Sequence, residues 1–207
     1  MGYNATVGEN MTDSRSTEQT PSSWHIGVAA EAFAAAQFAR CGLDVSVQYG
    51  ADQPEYDLVV AKGNRILKVS VKGSQDGGWG LTQSYLKKAT ELSGKKGDYH
   101  GAIELWLARH SSRTVFCFVQ FQGVALHELP RIYLATPGEV AQRMRETAKG
   151  RGDSILYEKW QWTSRAYGAG TVEELPPSWR FSQERLEEML SSSEASLMTS
   201  ARPVTAP

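Results

Sequence analysis

The 207-residue sequence predicts an α/β or α+β sandwich, a mixed β-sheet flanked by helices. Three observations lead there. An Ala-rich stretch near residue 30 has helical spacing, two β-rich runs fold back around Gly63-Asn64, and helical and extended segments alternate behind them with no repeat of solenoid length. The expected order is helix, three strands, helix, two strands, helix, strand, helix.

Residues 1–22 are rich in Ser, Thr, Asn and Gly and lack apolar periodicity, so they are expected to form a disordered arm. Residues 191–207 read the same way, leaving one domain over 23–190. Ser22 or Ser23 caps a helix over 24–40 that stops near Gly42. A strand over 44–49 precedes the hairpin, in which Tyr56-Asp57-Leu58-Val59-Val60 and Ile66-Leu67-Lys68-Val69-Ser70-Val71-Lys72 flank the Gly-Asn turn. Gly73, Gly77, Gly78 and Gly80 make the next loop, and 81–92 reads as helix. Residues 102–108 and 114–121 alternate as two strands with His110–Arg113 as their turn. Thr136 caps and Pro137 starts a helix to Lys149, followed by a strand over 155–163 and a helix over 182–190.

Composition narrows the function classes. No apolar run approaches the roughly 20 residues of a spanning helix, and the polar N-terminus lacks a signal-peptide layout. Cys41 and Cys117 sit in apolar contexts as expected buried thiols, so a cytoplasmic protein is expected. The four histidines lack metal-ligand spacing with them, which argues against a zinc site. A formal net charge of −1 neither demands nor excludes nucleic acid. No nucleophile elbow or phosphate-loop signature occurs.

The hairpin carries the chemistry. With Gly63 and Asn64 as loop residues, Lys62 faces Arg65, Val60 faces Leu67, Asp57 faces Ser70 and Glu55 faces Lys72. Asp57, Ser70 and Lys72 then share one face, close enough for a carboxylate and an ammonium to meet one small ligand. Glu31 falls beside the sheet-facing stripe of the first helix, where an unpaired carboxylate is costly. The blander readings are a boundary glutamate and a structural Asp57–Lys72 ion pair.

Gly27-x-x-x-Glu31 on an Ala-rich helix, the stop at Gly42, Tyr56-Asp57-Leu58-Val59-Val60, and Val69-Ser70-Val71-Lys72-Gly73-Ser74 together resemble the PD-(D/E)xK nuclease superfamily, in its archaeal Holliday-junction resolvase-like branch. The match covers residues 24–74. It implies a restriction-endonuclease-like three-layer sandwich and a Mg²⁺- or Mn²⁺-dependent endonuclease acting on DNA, branched DNA included, as a homodimer. By the resemblance, Asp57 is the central metal ligand, Glu31 an additional or water-mediated one, the Val71 carbonyl a further oxygen, and Lys72 the lysine beside the scissile phosphate. Such a cation needs only one or two carboxylates besides water and phosphate.

Ser70 departs from the pattern, which usually carries Glu or Asp there. Three readings compete: Ser70 completes a one-metal site with Glu31 and Asp57; another acid such as Glu55, Asp76 or Asp52 takes the role; or metal binding is lost and the chain is a non-catalytic module binding nucleic acid or protein. Trp79, Gln83, Lys87 and Lys88, with Tyr85, are candidate nucleic-acid contacts, because aromatic and basic residues interleave there. Their bland counterparts are core aromatics and a solvated basic face.

Overall fold

The computed structural model describes residues 20–48, 55–111, 113–165 and 168–200, with side chains through 192. Helix α1 (Ser23–Arg40) starts at Ser22, whose side chain accepts the His25 N–H while the His25 ring accepts the Ser22 N–H, a reciprocal capping box. Its buried residues Ala30, Ala34 and Phe38 repeat at helical spacing and form the stripe that meets the sheet.

Strands β1 (Asp44–Val47), β2 (Leu58–Lys62) and β3 (Arg65–Ser74) form an antiparallel meander. The hairpin register is the expected one, with Lys62 opposite Arg65, Val60 opposite Leu67 and Leu58 opposite Val69. Gly63 has φ +62°, the positive value that a two-residue hairpin loop requires at its first central residue.

The chain then crosses over through β4 (Gly78–Gly80), α2 (Gln83–Ser93) and α3 (Tyr99–Leu107) to β5 (Thr114–Gln120), which runs parallel to β3. Strand β6 (Arg131–Ala135) pairs antiparallel with β5, so the mixed sheet is ordered β1-β2-β3-β5-β6. After α4 (Pro137–Glu146), β7 (Ile155–Tyr157) pairs with β4, and β8 (Lys159–Gln161) pairs with β9 (Val172–Glu174). A 3-10 turn at Pro177–Trp179 leads into α5 (Gln183–Ser200).

Strand β5 is buried throughout, and alternation sends its side chains to two cores. Val115, Cys117 and Val119 join Leu67, Val69 and Val71 beneath α1 and α5, while Phe116 and Phe118 pack with Trp106 of α3 and Met144 of α4. Helices therefore cover both sheet faces, the layered α/β arrangement the sequence predicts.

Four expectations need correction. Residues 102–108 are helix α3, not a strand: the Asp98 side chain caps by accepting the Gly101 N–H, and Ala102, Ile103 and Trp106 form one buried stripe. His110–Arg113 therefore joins a helix to a strand, with Ser112 outside the described residues. The expected strand over 155–163 breaks at Glu158, whose carboxylate accepts bonds from Arg131 and Tyr133. Helix α4 ends at Glu146, short of Lys149, because Ala148 and Lys149 take φ values of +55° and +58°. Finally, α5 continues past Leu190 to Ser200, while residues 1–19 and 201–207 lie outside the described residues, as do Tyr49 and Asp52.

The Arg185 side chain ties α5 to the rest, donating to the Leu134 carbonyl and to both Glu139 oxygens while only 4% exposed. Burial pushes the Glu139 carboxyl up, but bonds from Arg185 and Thr136 outweigh it and hold it below its ordinary range. A group so depressed adds stability above its unfolded pKa, and that stability is lost as pH falls through the lower folded pKa. Glu139→Gln should therefore lower stability at pH 7 by about 3 kcal/mol, since it leaves a buried guanidinium undercompensated. The deficit should shrink below about pH 4, as read from urea unfolding midpoints across pH.

Candidate functional site

Strand β3 outruns its partner. The β2–β3 ladder stops at Leu58 and Val69, while β3 continues to Ser74 against β5 alone. Just past the ladder the Asp57 N–H donates to the Val69 carbonyl at 2.8 Å, and the Asp57 carbonyl accepts the Gln48 N–H at 2.9 Å. The Asp57 side chain turns to the exposed edge of β3, where Oδ2 accepts the Val71 N–H at 2.5 Å. The Ser70 hydroxyl points to the same oxygen at a long 3.5 Å.

Asp57, Ser70 and Lys72 line one pocket of about 540 Å³, as the register predicts, together with Glu55, Tyr85, Arg109 and His110. Trp106 and Phe116 form its apolar wall. Lys72 enters no ion pair with a described residue, so the structural Asp57–Lys72 pair is not what the fold builds.

Glu55 and His110 form a second anchored unit. Glu55 Oε1 accepts from His110 Nδ1 at 2.8 Å and from the Ser111 N–H at 3.0 Å. The imidazole packs against the rings of Trp106 and Phe116, with centroids 4.6 and 5.0 Å away. Burial lowers the His110 pKa, Glu55 opposes that shift, and Lys72 and Arg109 add to it. Nδ1, which faces the carboxylate, is the nitrogen assigned the proton in this contact. The sequence reading missed His110 and Arg109 as pocket residues because it placed His110 in a hairpin turn and ended a strand just before Arg109. Their position after a capped helix was the available signal.

Glu31 lies in an adjoining groove with Trp24, Gly27, Val28 and Val47. Burial raises its carboxyl above the ordinary range, the Asp57 charge raises it further, and Lys72 opposes both. A third cleft joins these two, sharing Lys72, Gly80 and Leu81 with one and Gly27 with the other. Among the described residues no group of three or more His, Cys, Asp or Glu side chains gathers closely enough to hold a metal ion. The oxygen donors that do gather in one pocket are two carboxylates, Asp57 and Glu55, a set that suits a largely hydrated Mg²⁺. Asp76, the other described alternative acid, lines the neighbouring cleft, where its Oδ1 accepts the Ser74 hydroxyl at 2.9 Å and the Gly78 N–H at 3.4 Å.

The candidate nucleic-acid contacts separate by burial. Trp79 is only 3% exposed, packs against Phe118 and donates its indole N–H to the Lys72 carbonyl at 2.9 Å, so it holds the Lys72 backbone instead of offering a stacking face. Gln83, Lys87 and Lys88 are exposed on α2, with Lys87 near Glu91, and Tyr85 is half-buried at the pocket.

No protein-family model matches this chain, and no curated protein matches it. Among solved structures, the bacterial homing endonuclease I-Ssp6803I is similar at 18% identity and a TM-score of 0.41, covering 86% of this chain and 98% of that chain. That likeness is too loose to assign residue roles.

Gly73 sets how near α1 comes to the site strand. A Cβ there would stand 2.8 Å from both the Ala30 Cβ and the Ile26 carbonyl oxygen, which belong to the helix carrying Glu31. The glycine after Lys72 thus admits a helix against the site strand. Gly73→Ala should push α1 away from β3 and cost about 1–3 kcal/mol, read as a lowered thermal unfolding temperature.

Proposed function

We propose that this protein is a metal-dependent DNA endonuclease of the PD-(D/E)xK type, hydrolysing phosphodiester bonds in a Holliday-junction resolvase-like manner. The observation that carries the reading is a single pocket holding an anchored Asp57 carboxylate and a Lys72 ammonium that has no ion-pair partner among the described residues, at the edge of β3 beyond the end of β2. Asp57 is fixed through Oδ2, which leaves Oδ1 to face the pocket as a ligand. In an extended strand the N–H and C=O of one residue leave by the same edge. The Val71 amide points to Asp57, so the Val71 carbonyl is directed to that edge too, beyond the end of β2.

In this reading Asp57 and the Val71 carbonyl hold Mg²⁺ or Mn²⁺, with Glu31 joining through water from the adjoining groove. When bound there, such a cation would supply a water of lowered pKa and charge neutralisation at the phosphoryl oxygens. Lys72 supplies a compact charge for the scissile phosphate, and the Trp79 bond to its backbone limits its wander. Gln83, Lys87 and Lys88 on the exposed face of α2 are placed to neutralise DNA backbone charge. A homodimer suits a branched substrate, because two-fold junctions require two cuts.

One observation favours a second reading, a catalytically impaired module that binds nucleic acid or a protein partner. Ser70, 3% exposed, puts a neutral hydroxyl where a second strand carboxylate belongs.

The purified protein should nick supercoiled duplex DNA or a four-way junction with Mg²⁺ or Mn²⁺, and lose activity on chelation. Asp57→Asn keeps an acceptor for the Val71 N–H, so the fold persists while cleavage falls. Lys72→Ala should lower the rate by about a hundredfold or more. Cleavage by Asp57→Asn at the wild-type rate would sink the reading, and DNA binding without cleavage under either cation would favour the impaired module.

A further inference from the structure

We infer that Glu55 supplies the second carboxylate that Ser70 does not, and that His110 is its positioning residue. The inference rests on the metal-dependent reading and concerns how this chain completes its ligand set. Glu55 and Asp57 line the same pocket and are built alike. Each is anchored through one oxygen, Asp57 Oδ2 by the Val71 N–H and Glu55 Oε1 by His110 and the Ser111 N–H. Each keeps its other oxygen free of any described partner. Two half-occupied carboxylates beside an unpaired ammonium make a site for a hydrated cation and an anionic substrate oxygen.

Alternative occupants of the role are weaker. Asp76 lines the neighbouring cleft and not the pocket of Asp57, and Glu31 lies in the neighbouring groove. Ser70 offers only a hydroxyl, directed at Asp57.

The His110 ring is well placed to orient a ligand. Its Nδ1 faces the Glu55 carboxylate and its ring packs against both Trp106 and Phe116, so Glu55 cannot swing without losing its bonds to His110 and Ser111. Orienting partners of this kind alter metal affinity by about tenfold to a hundredfold when removed. His110 therefore acts through Glu55, as a positioning residue and not a catalytic one.

Calorimetric titration of the full-length, metal-free protein with Mn²⁺ alone, without DNA, tests this. Glu55→Gln preserves an acceptor for the Ser111 N–H and should weaken Mn²⁺ binding at least about tenfold. His110→Ala should weaken it about tenfold or more, and His110→Gln, which retains a donor, should weaken it less. Asp76→Asn should bind like the wild type. Ser70→Glu in the Glu55→Gln background should regain affinity, and that gain reports on the site even if single variants lose thermal stability. Wild-type affinity in Glu55→Gln, with Asp57→Asn weakened, overturns the inference while the proposed function stands. Absence of Mn²⁺ binding by the wild type, or unchanged binding in Asp57→Asn, overturns both.

Discussion

The bond from the Val71 amide to the Asp57 carboxylate is the interaction on which the rest of the structure turns. Strand β3 has two different edges: antiparallel to β2 only as far as Val69, and parallel to β5 through Ser74. Past Val69 the buried strand would present an unpaired N–H to its β2 side. Leaving such a donor unsatisfied costs about 1–3 kcal/mol. Asp57 answers it with a side chain, which lets the backbone of β2 leave the sheet and opens the pocket. The same carboxylate thus completes the strand and is the leading ligand of the proposed metal site, so its removal would mix folding with chemistry while its amide isostere separates them.

Everything else holds β3 steady. Gly73 admits the backbone of α1 at near contact, and Trp79 fixes the Lys72 carbonyl from the opposite core. Cys117, directly beside Val71 in the parallel register, is fully buried, and burial drives its thiol far up its scale and leaves it inert. The strand that bears Ser70 and Lys72 is therefore clamped between two packed layers, while the pocket lies on the edge where, among the described residues, β2 no longer pairs with it.

How much of this was legible in the sequence depended on how local each feature was. The Gly63-Asn64 turn defines the register by itself, so the shared face of Asp57, Ser70 and Lys72 follows from residues a few positions apart. The cap at Ser22 and the Thr136 capping box were equally local. Residues 102–108 misled because a short apolar run fits both a period of two and a period of 3.6, and Asp98 decides the matter from outside the run. The Glu55–His110 contact spans 55 positions and depends on the crossover through α2 and α3, so no spacing rule reveals it.

The neutral Ser70 has a physical rationale in the charge already present. Its side chain is buried beside Asp57, and the Glu31 carboxyl is raised in part by Asp57 even from the adjoining groove. A third carboxylate at position 70 would be desolvated next to Asp57 and repelled by it, with Lys72 the nearest compensation and already shared. Distributing the acids resolves that conflict: Asp57 stays at the strand edge, Glu55 stands at the pocket rim on His110, and Glu31 keeps its distance. Position 70 thus stays neutral because the acids of this region stand elsewhere, and in the proposed reading Asp57 and Glu55 would hold a cation without a third carboxylate on the strand.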